Sequence, residues 1–198
     1  MNKKILINLK DWFNLEENEK YAKAIKGLDV IVFPSILYLY LYNNEKGVQD
    51  FNYERGAHTG KISLSRLVEF GISWALINHR ENKVQDINEL ISKIECALSK
   101  KVKPIVCLDS IDEIPYEIIS KYKNKIQIAY EPIKVISAEE ASKNIKELYN
   151  MYNQKIIFGN NINKDNILDY CFDEVEGFLI SRDGTNVKNL KIILEKVK

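Results

Sequence analysis

The chain has 198 residues, 45% hydrophobic and 29% charged, which is an ordinary balance for one globular domain (1–198) with a substantial core. Its 29 basic and 28 acidic side chains leave a formal charge of +1, so neither nucleic acid nor a membrane surface is expected as a partner through bulk electrostatics. No apolar run reaches membrane-spanning length, and the first residues lack the apolar core of a signal peptide. Cys96, Cys107 and Cys171 are widely spaced and form no Cys-x-x-Cys pair. Disulfide frameworks and zinc ribbons are therefore poor readings, and a reduced, cytoplasmic setting is the simplest expectation.

Short β-branched runs alternate with amphipathic stretches along the whole chain. In order, the expected strands are Lys4–Asn8, Val30–Pro34, Val48–Asn52, Trp74–Asn78, Pro104–Leu108, Gln127–Glu131, Lys155–Gly159 and Gly177–Ser181. Two helical patterns stand out between them. Ile87–Ser99 carries Ile87, Leu90, Ile91, Ile94 and Leu98 on one face, and Ala138–Tyr152 carries Ala141, Ile145, Leu148 and Tyr152. Both follow the i, i+3, i+4, i+7 spacing of a helix with one buried stripe.

Eight strands with short connections predict an α/β fold, a single-domain parallel (β/α)₈ barrel. The open doubly wound alternative is disfavoured, because no Gly-x-Gly-x-x-Gly follows the first strand. Polar residues instead collect after the strands: Asn8 and Lys10, Asn78 and His79, Asp109, Glu131, Asn160 and Asn161, Ser181 and Arg182. That end of a barrel is where active sites are built. The chain is short for the class, which typically runs to about 250 residues.

Three strand ends carry candidate chemistry. Alternation puts Asn8 and Lys10 on one face, with Lys10 as a fixed cation for an anionic substrate or a developing oxyanion. His79 closes the apolar run Trp74–Ile77, and Glu81 is placed to pair with Lys10 across the mouth. Glu131 follows Ile126, Ile128 and Ala129, where desolvation would raise its pKa and suit it to act as a base. Taken singly, each is an ordinary strand-end residue.

Together they resemble the triosephosphate isomerase family across nearly the whole chain. Asn8-Leu9-Lys10 is similar to the family's first-strand Asn-x-Lys. The segment from Gly56 to Ser63 is similar to its third-loop Gly-Ala-x-Thr-Gly-x-Ile-Ser. The segment Leu76 to Asn82 resembles its fourth-strand His-x-Glu, Pro104 to Cys107 its fifth strand, and Ala129-Tyr130-Glu131-Pro132 its base motif. The resemblance implies a cofactor-free aldose–ketose isomerase acting on glyceraldehyde 3-phosphate and dihydroxyacetone phosphate. Glu131 would be the base, His79 a neutral electrophile and Lys10 the enediolate stabiliser, with Asn8 positioning the substrate. It also implies a homodimer, in which Thr59 enters the neighbouring site to support Asn8 and Lys10. No metal is expected, since the chain holds only two histidines.

The resemblance breaks where the family grips phosphate. The lid with its Gly-Thr-Gly tip is absent, and Glu131 to Ile136 runs directly into Ser137 and Ala138, with Ser137 and Glu140 forming a capping box. Gly159-Asn160-Asn161 stands for Gly-Gly-Ser, and Ser181-Arg182 for Gly-Gly. Asn161, Ser181 and Arg182 thus become the candidate anion contacts. Arg182 either binds the anion through its guanidinium or pairs with Asp183 or Glu131 and fills the space. Without a lid, slower turnover and loss of phosphate from the enediolate are expected. Two alternatives follow: the same trio acting on another small hydroxy-carbonyl compound, or a weak relative kept as a ligand-binding or scaffold protein.

Overall fold

A computed structural model describes residues 3–198. Eight parallel strands close into a barrel in sequence order. They are β1 (Lys4–Asn8), β2 (Ile31–Phe33), β3 (Glu45–Val48), β4 (Trp74–Ile77), β5 (Lys103–Leu108), β6 (Gln127–Tyr130), β7 (Ile156–Phe158) and β8 (Val175–Ile180). Closure is made by β1 against β8, from Lys4↔Gly177 to Ile7↔Ile180.

Alternation along each strand divides the core into two compartments. Leu6, Ile31, Phe33, Trp74, Leu76, Ile105, Cys107, Ala129, Ile157 and Leu179 pack together inside the barrel. Their outward neighbours, including Ile5, Ile7, Val32, Val106 and Ile128, pack under the helices. Each fully buried aliphatic side chain contributes about 1.5–3 kcal/mol relative to exposure.

The third strand lies earlier than the sequence pattern suggests, at Glu45–Val48 instead of Val48–Asn52. Glu45 and Lys46 pair with Ile31 and Val32, and Gly47 faces Trp74 across β4. A Cβ on Gly47 would lie 2.3 Å from the Phe33 ring and 2.7 Å from the Trp74 carbonyl oxygen. This strand is chosen for a close approach between neighbours, which hydropathy does not register. Asn52, expected at its end, makes only an isolated bridge to Ser63.

The helices are α1 (Leu15–Ile25), α2 (Leu64–Leu67), α3 (Ile87–Ser99), α4 (Tyr116–Ser120), α5 (Ala138–Tyr152) and α6 (Val187–Val197). The two helices with the clearest periodicity fall where that periodicity places them. Side chains of Asn14, Asp86, Ser137 and Asn186 cap α1, α3, α5 and α6 by accepting from first-turn amides, each such cap contributing about 1 kcal/mol. The Ser137 cap accepts from the Glu140 amide at 3.1 Å. After β2 and β7 the chain economises with single 3₁₀ segments, Ile36–Leu41 and Ile167–Tyr170. These replacements, with the four-residue α2, explain how a barrel closes in so few residues. Among the described residues no helix is long and apolar enough to cross a membrane.

Candidate active site

At the carboxyl ends of the strands lies a cleft of about 910 Å³. Asn8, Lys10, His79, Glu131, Asn161, Ser181 and Arg182 all line it. Glu81 stands behind Lys10. Thr59 is exposed in the loop after β3 and does not line the cleft of its own chain.

Inward parity explains the placing of the carboxylate. Gln127 and Ala129 precede Glu131 on the same face of β6, and Ala129 lies inside the barrel. Glu131 therefore ends an inward-facing series at the mouth. Its side chain is 13% exposed, and Oε1 is buried without a hydrogen-bond partner. Burial of this kind disfavours the charged form and pushes its pKa up to about 7, while Arg80 and Lys10 pull downwards. Gly159 makes room for it: an added Cβ would stand 3.0 Å from Glu131 Cγ and 3.2 Å from Oε2.

His79 is buried at the end of β4, with Nε2 3.7 Å from Glu131 Oε2. Its Nδ1 accepts the Glu81 backbone N–H at 3.3 Å, leaving the ring proton for Nε2, which faces the cleft. Burial, aided by Lys10 and Arg80, lowers the imidazole pKa against the opposing pull of Glu81. The ring is thus kept neutral and set up as a donor.

Lys10 adopts a left-handed backbone conformation, φ 49°, which costs a non-glycine residue energy unless its surroundings fix it. Three contacts do so. Asn8 Oδ1 accepts the Lys10 N–H at 3.1 Å, Gln49 Nε2 donates to the Lys10 carbonyl at 2.9 Å, and Lys10 Nζ bonds Glu81 Oε1 at 2.7 Å. The lysine bond is also the largest cause of the lowered Glu81 pKa. The Lys10–Glu81 pairing expected from sequence is present. Gln49 carries no signal in the sequence, where it falls inside the expected strand Val48–Asn52; the structure ends β3 at Val48 and frees it to reach Lys10.

On the opposite lip the contacts differ in kind. Asn160 Oδ1 accepts the Ile136 N–H at 3.0 Å, and its Nδ2 donates to the carbonyls of Pro132 and Lys134 at 3.1 and 3.0 Å. Tyr170 Oη donates to the Ile136 carbonyl at 3.0 Å. The shortened segment is thus fastened down, with Ile133 and Val135 exposed upon it. Asn161 takes the left-handed conformation, φ 52°. Ser181 Oγ accepts from Trp12 Nε1 at 3.3 Å.

Arg182 is exposed on the cleft wall, and its guanidinium has no hydrogen bond or ion pair among the described residues. Pairing with Asp183 or Glu131 does not occur. Asp183 is committed elsewhere, accepting the Lys164 N–H at 2.7 Å and Asn189 Nδ2 at 2.6 Å. The guanidinium is left facing the cleft.

A family model described as triosephosphate isomerase matches residues 3–197. The chain belongs to the triosephosphate isomerase family. It is 26% identical to triosephosphate isomerase of Aquifex aeolicus, over 91% of this chain and 93% of the relative. Against that of Emericella nidulans it is 27% identical over 91% and 90%. Against that of Campylobacter jejuni subsp. doylei it is 32% identical over 83% and 85%. A triosephosphate isomerase barrel therefore carries Lys10, His79 and Glu131 together at the mouth of one cleft.

Proposed function

We propose that the protein is an aldose–ketose isomerase that interconverts glyceraldehyde 3-phosphate and dihydroxyacetone phosphate through an enediolate, without a cofactor. The observation that carries this reading is the buried Glu131 carboxyl group, its Oε1 without a hydrogen-bond partner and its pKa pushed up to about 7, beside a neutral His79 that faces the same space.

In this reading Glu131 removes a proton from the carbon next to the carbonyl. The electron pair left behind forms a C=C bond to the carbonyl carbon, and the C=O π pair moves onto oxygen as charge. His79 Nε2–H donates to that oxygen, and the Lys10 ammonium stabilises its charge. The proton held by Glu131 then returns to the neighbouring carbon, while His79 gives its Nε2 proton to the former carbonyl oxygen and takes up that of the neighbouring hydroxyl, so the protons balance and no external reagent is consumed. Asn8 orients Lys10 through its backbone contact. Arg182, with the side chains of Asn161 and Ser181, holds the phosphate that a glycine-lined backbone cradle would otherwise bind.

Thr59 lies away from its own cleft, which supports a homodimer in which it reaches the partner subunit's Asn8 and Lys10. Three free cysteines fit a reducing, cytoplasmic compartment.

The test is isomerisation in both directions, with Glu131→Gln as the control. Activity in the natural protein and none in the variant is expected. Equal background rates would overturn the reading. The wide cleft and fastened lip support a second reading, the same proton transfer on another small hydroxy-carbonyl compound. Solvent-deuterium exchange into a panel of aldoses separates the two: exchange independent of phosphate favours the second, and none with any compound favours a binding or scaffold role.

A further inference from the structure

The base stands at the start of a short segment, Glu131 to Ile136, that is bonded to neighbouring elements along its length. Arg80, one residue beyond His79, reaches across from the end of β4. Its guanidinium donates to the Glu131 carbonyl and, at 3.1 Å, to that of Pro132. The far edge of the same group faces Asp109 Oδ1 at 3.7 Å, an atom buried without any hydrogen bond. Asp109 is fixed in turn by Lys83 at 3.1 Å and by its own N–H, which donates to Glu113 Oε2 at 2.5 Å. Lys83 and Asn78 complete the network through Glu113 Oε1.

With Asn160 and Tyr170 gripping the other end, both ends of the Glu131–Ile136 segment are tied by side chains from separate elements. One guanidinium nitrogen, Nη2, donates to both carbonyls, while the Nε edge of the same rigid plane lies 3.7 Å from the Asp109 carboxylate.

We propose that Arg80 is a positioning residue: it clamps the Glu131–Pro132 backbone so that the base stays in its reacting place without loop closure. This rests on the isomerase reading, but it assigns a separate device. Where a moving lid would set the base on binding substrate, here the base is set beforehand from β4. Specificity then comes from the static walls of the cleft.

The groups facing the Glu131 carboxylate are His79 and Arg80 from β4, Cys107 and Asp109 from β5, and Lys10 from β1; β7 offers only Gly159. Of these Arg80 is the foremost charge favouring the ionised base, and Asp109 opposes it.

Arg80→Met and Arg80→Lys separate clamp from charge. In Arg80→Met, kcat should fall about 100-fold, the scale of a misplaced reacting group, with KM within about twofold. The acid limb of kcat/KM should move up by about one pH unit. Arg80→Lys should restore the limb but not kcat, since it keeps the charge and loses the fork. A lowered melting temperature with kcat and the limb unchanged would overturn the proposal. So would a raised KM with kcat unchanged, which marks a substrate contact instead. If the natural protein shows no activity above Glu131→Gln, the isomerase reading fails on its own. The clamp is then judged by amide exchange in substrate-free protein: faster exchange at Glu131 and Ile133 in both Arg80→Met and Arg80→Lys supports it, and unchanged exchange sinks it. Should Arg80→Met fail to fold, Arg80→Gln takes its place in the same comparison.

Discussion

The two lips of the cleft are built on different principles. Around Lys10, His79 and Glu131, the polar groups follow strand ends, with Lys10 fixed by three contacts and the His79 ring by one. Around Asn161, Ser181 and Arg182, the loops spend their contacts on holding one another, and Arg182 is left facing the cleft. The first side gathers the ionisable groups of the proposed reaction, and the second closes a short chain with an open wall that carries Arg182. In the proposed isomerase, shortening the barrel falls on the phosphate-holding side and spares the proton-transfer side.

The comparison breaks first at Glu131. Glu131→Gln should reduce turnover by at least about 10³-fold, since the variant loses the buried base beside His79. The same change should stabilise the fold in alkaline solution. Between its ordinary value of 4.5 and its folded value of about 7, the folded protein keeps a proton that the unfolded chain has released. Stability therefore falls as pH rises through this window, by about 3 kcal/mol in all. Melting curves should show Glu131→Gln above the natural protein at pH 8 and level with it near pH 4. A variant that melts lower at pH 8 would mean that the carboxylate is well solvated in the fold. Activity should climb with pH towards about 7 as the base ionises, then level.

Gly159→Ala is the next largest. The new methyl group would press on Glu131 Cγ and on the Leu179 carbonyl oxygen, both 3.0 Å away. The backbone oxygen cannot yield, so the carboxylate must. We expect kcat to fall about tenfold or more with little change in KM. An unchanged kcat would mean that the base tolerates displacement, and the fixed-base picture would lose its geometric support.

Arg182→Met probes the other lip. If its guanidinium holds the anion, KM for a phosphorylated substrate should rise about tenfold with kcat nearly constant, the scale of one charge-assisted hydrogen bond. An unphosphorylated hydroxy-carbonyl substrate should be indifferent to the change. Equal effects on both substrates would remove Arg182 from the anion site.

The difference between the lips is also a difference in legibility. Glu131 was readable because strand parity carries Gln127, Ala129 and Glu131 to one face, and the apolar neighbours announce burial. Lys10 and Glu81 could be paired because both close strands at the same end of the barrel. The third strand was misplaced by three residues, because Gly47 is selected by the Phe33 ring and the Trp74 carbonyl, which only the closed sheet brings near. Nor did any pattern tell that Asn160 turns inward to hold a loop while Asn161 turns out. Side-chain direction after a strand depends on φ at single residues, and Asn161 at +52° is one such switch.

Asn160 gives the smallest expected effect on catalysis and the sharpest test of what the second lip is for. Its amide satisfies the Ile136 N–H and two carbonyls, and Ile136 itself is buried. Asn160→Ala strands that N–H without a partner, at a cost of about 1–3 kcal/mol, readable as a lower melting temperature. Arg80 still holds the Glu131 end of the segment, so turnover should change only a few-fold. Amide exchange should quicken at Ile136 and at the residues between Pro132 and Val135, but not at Glu131. If exchange also quickens at Glu131 and kcat collapses with it, the two ends of the segment move together, and the lips of the cleft are one cooperative unit instead of two.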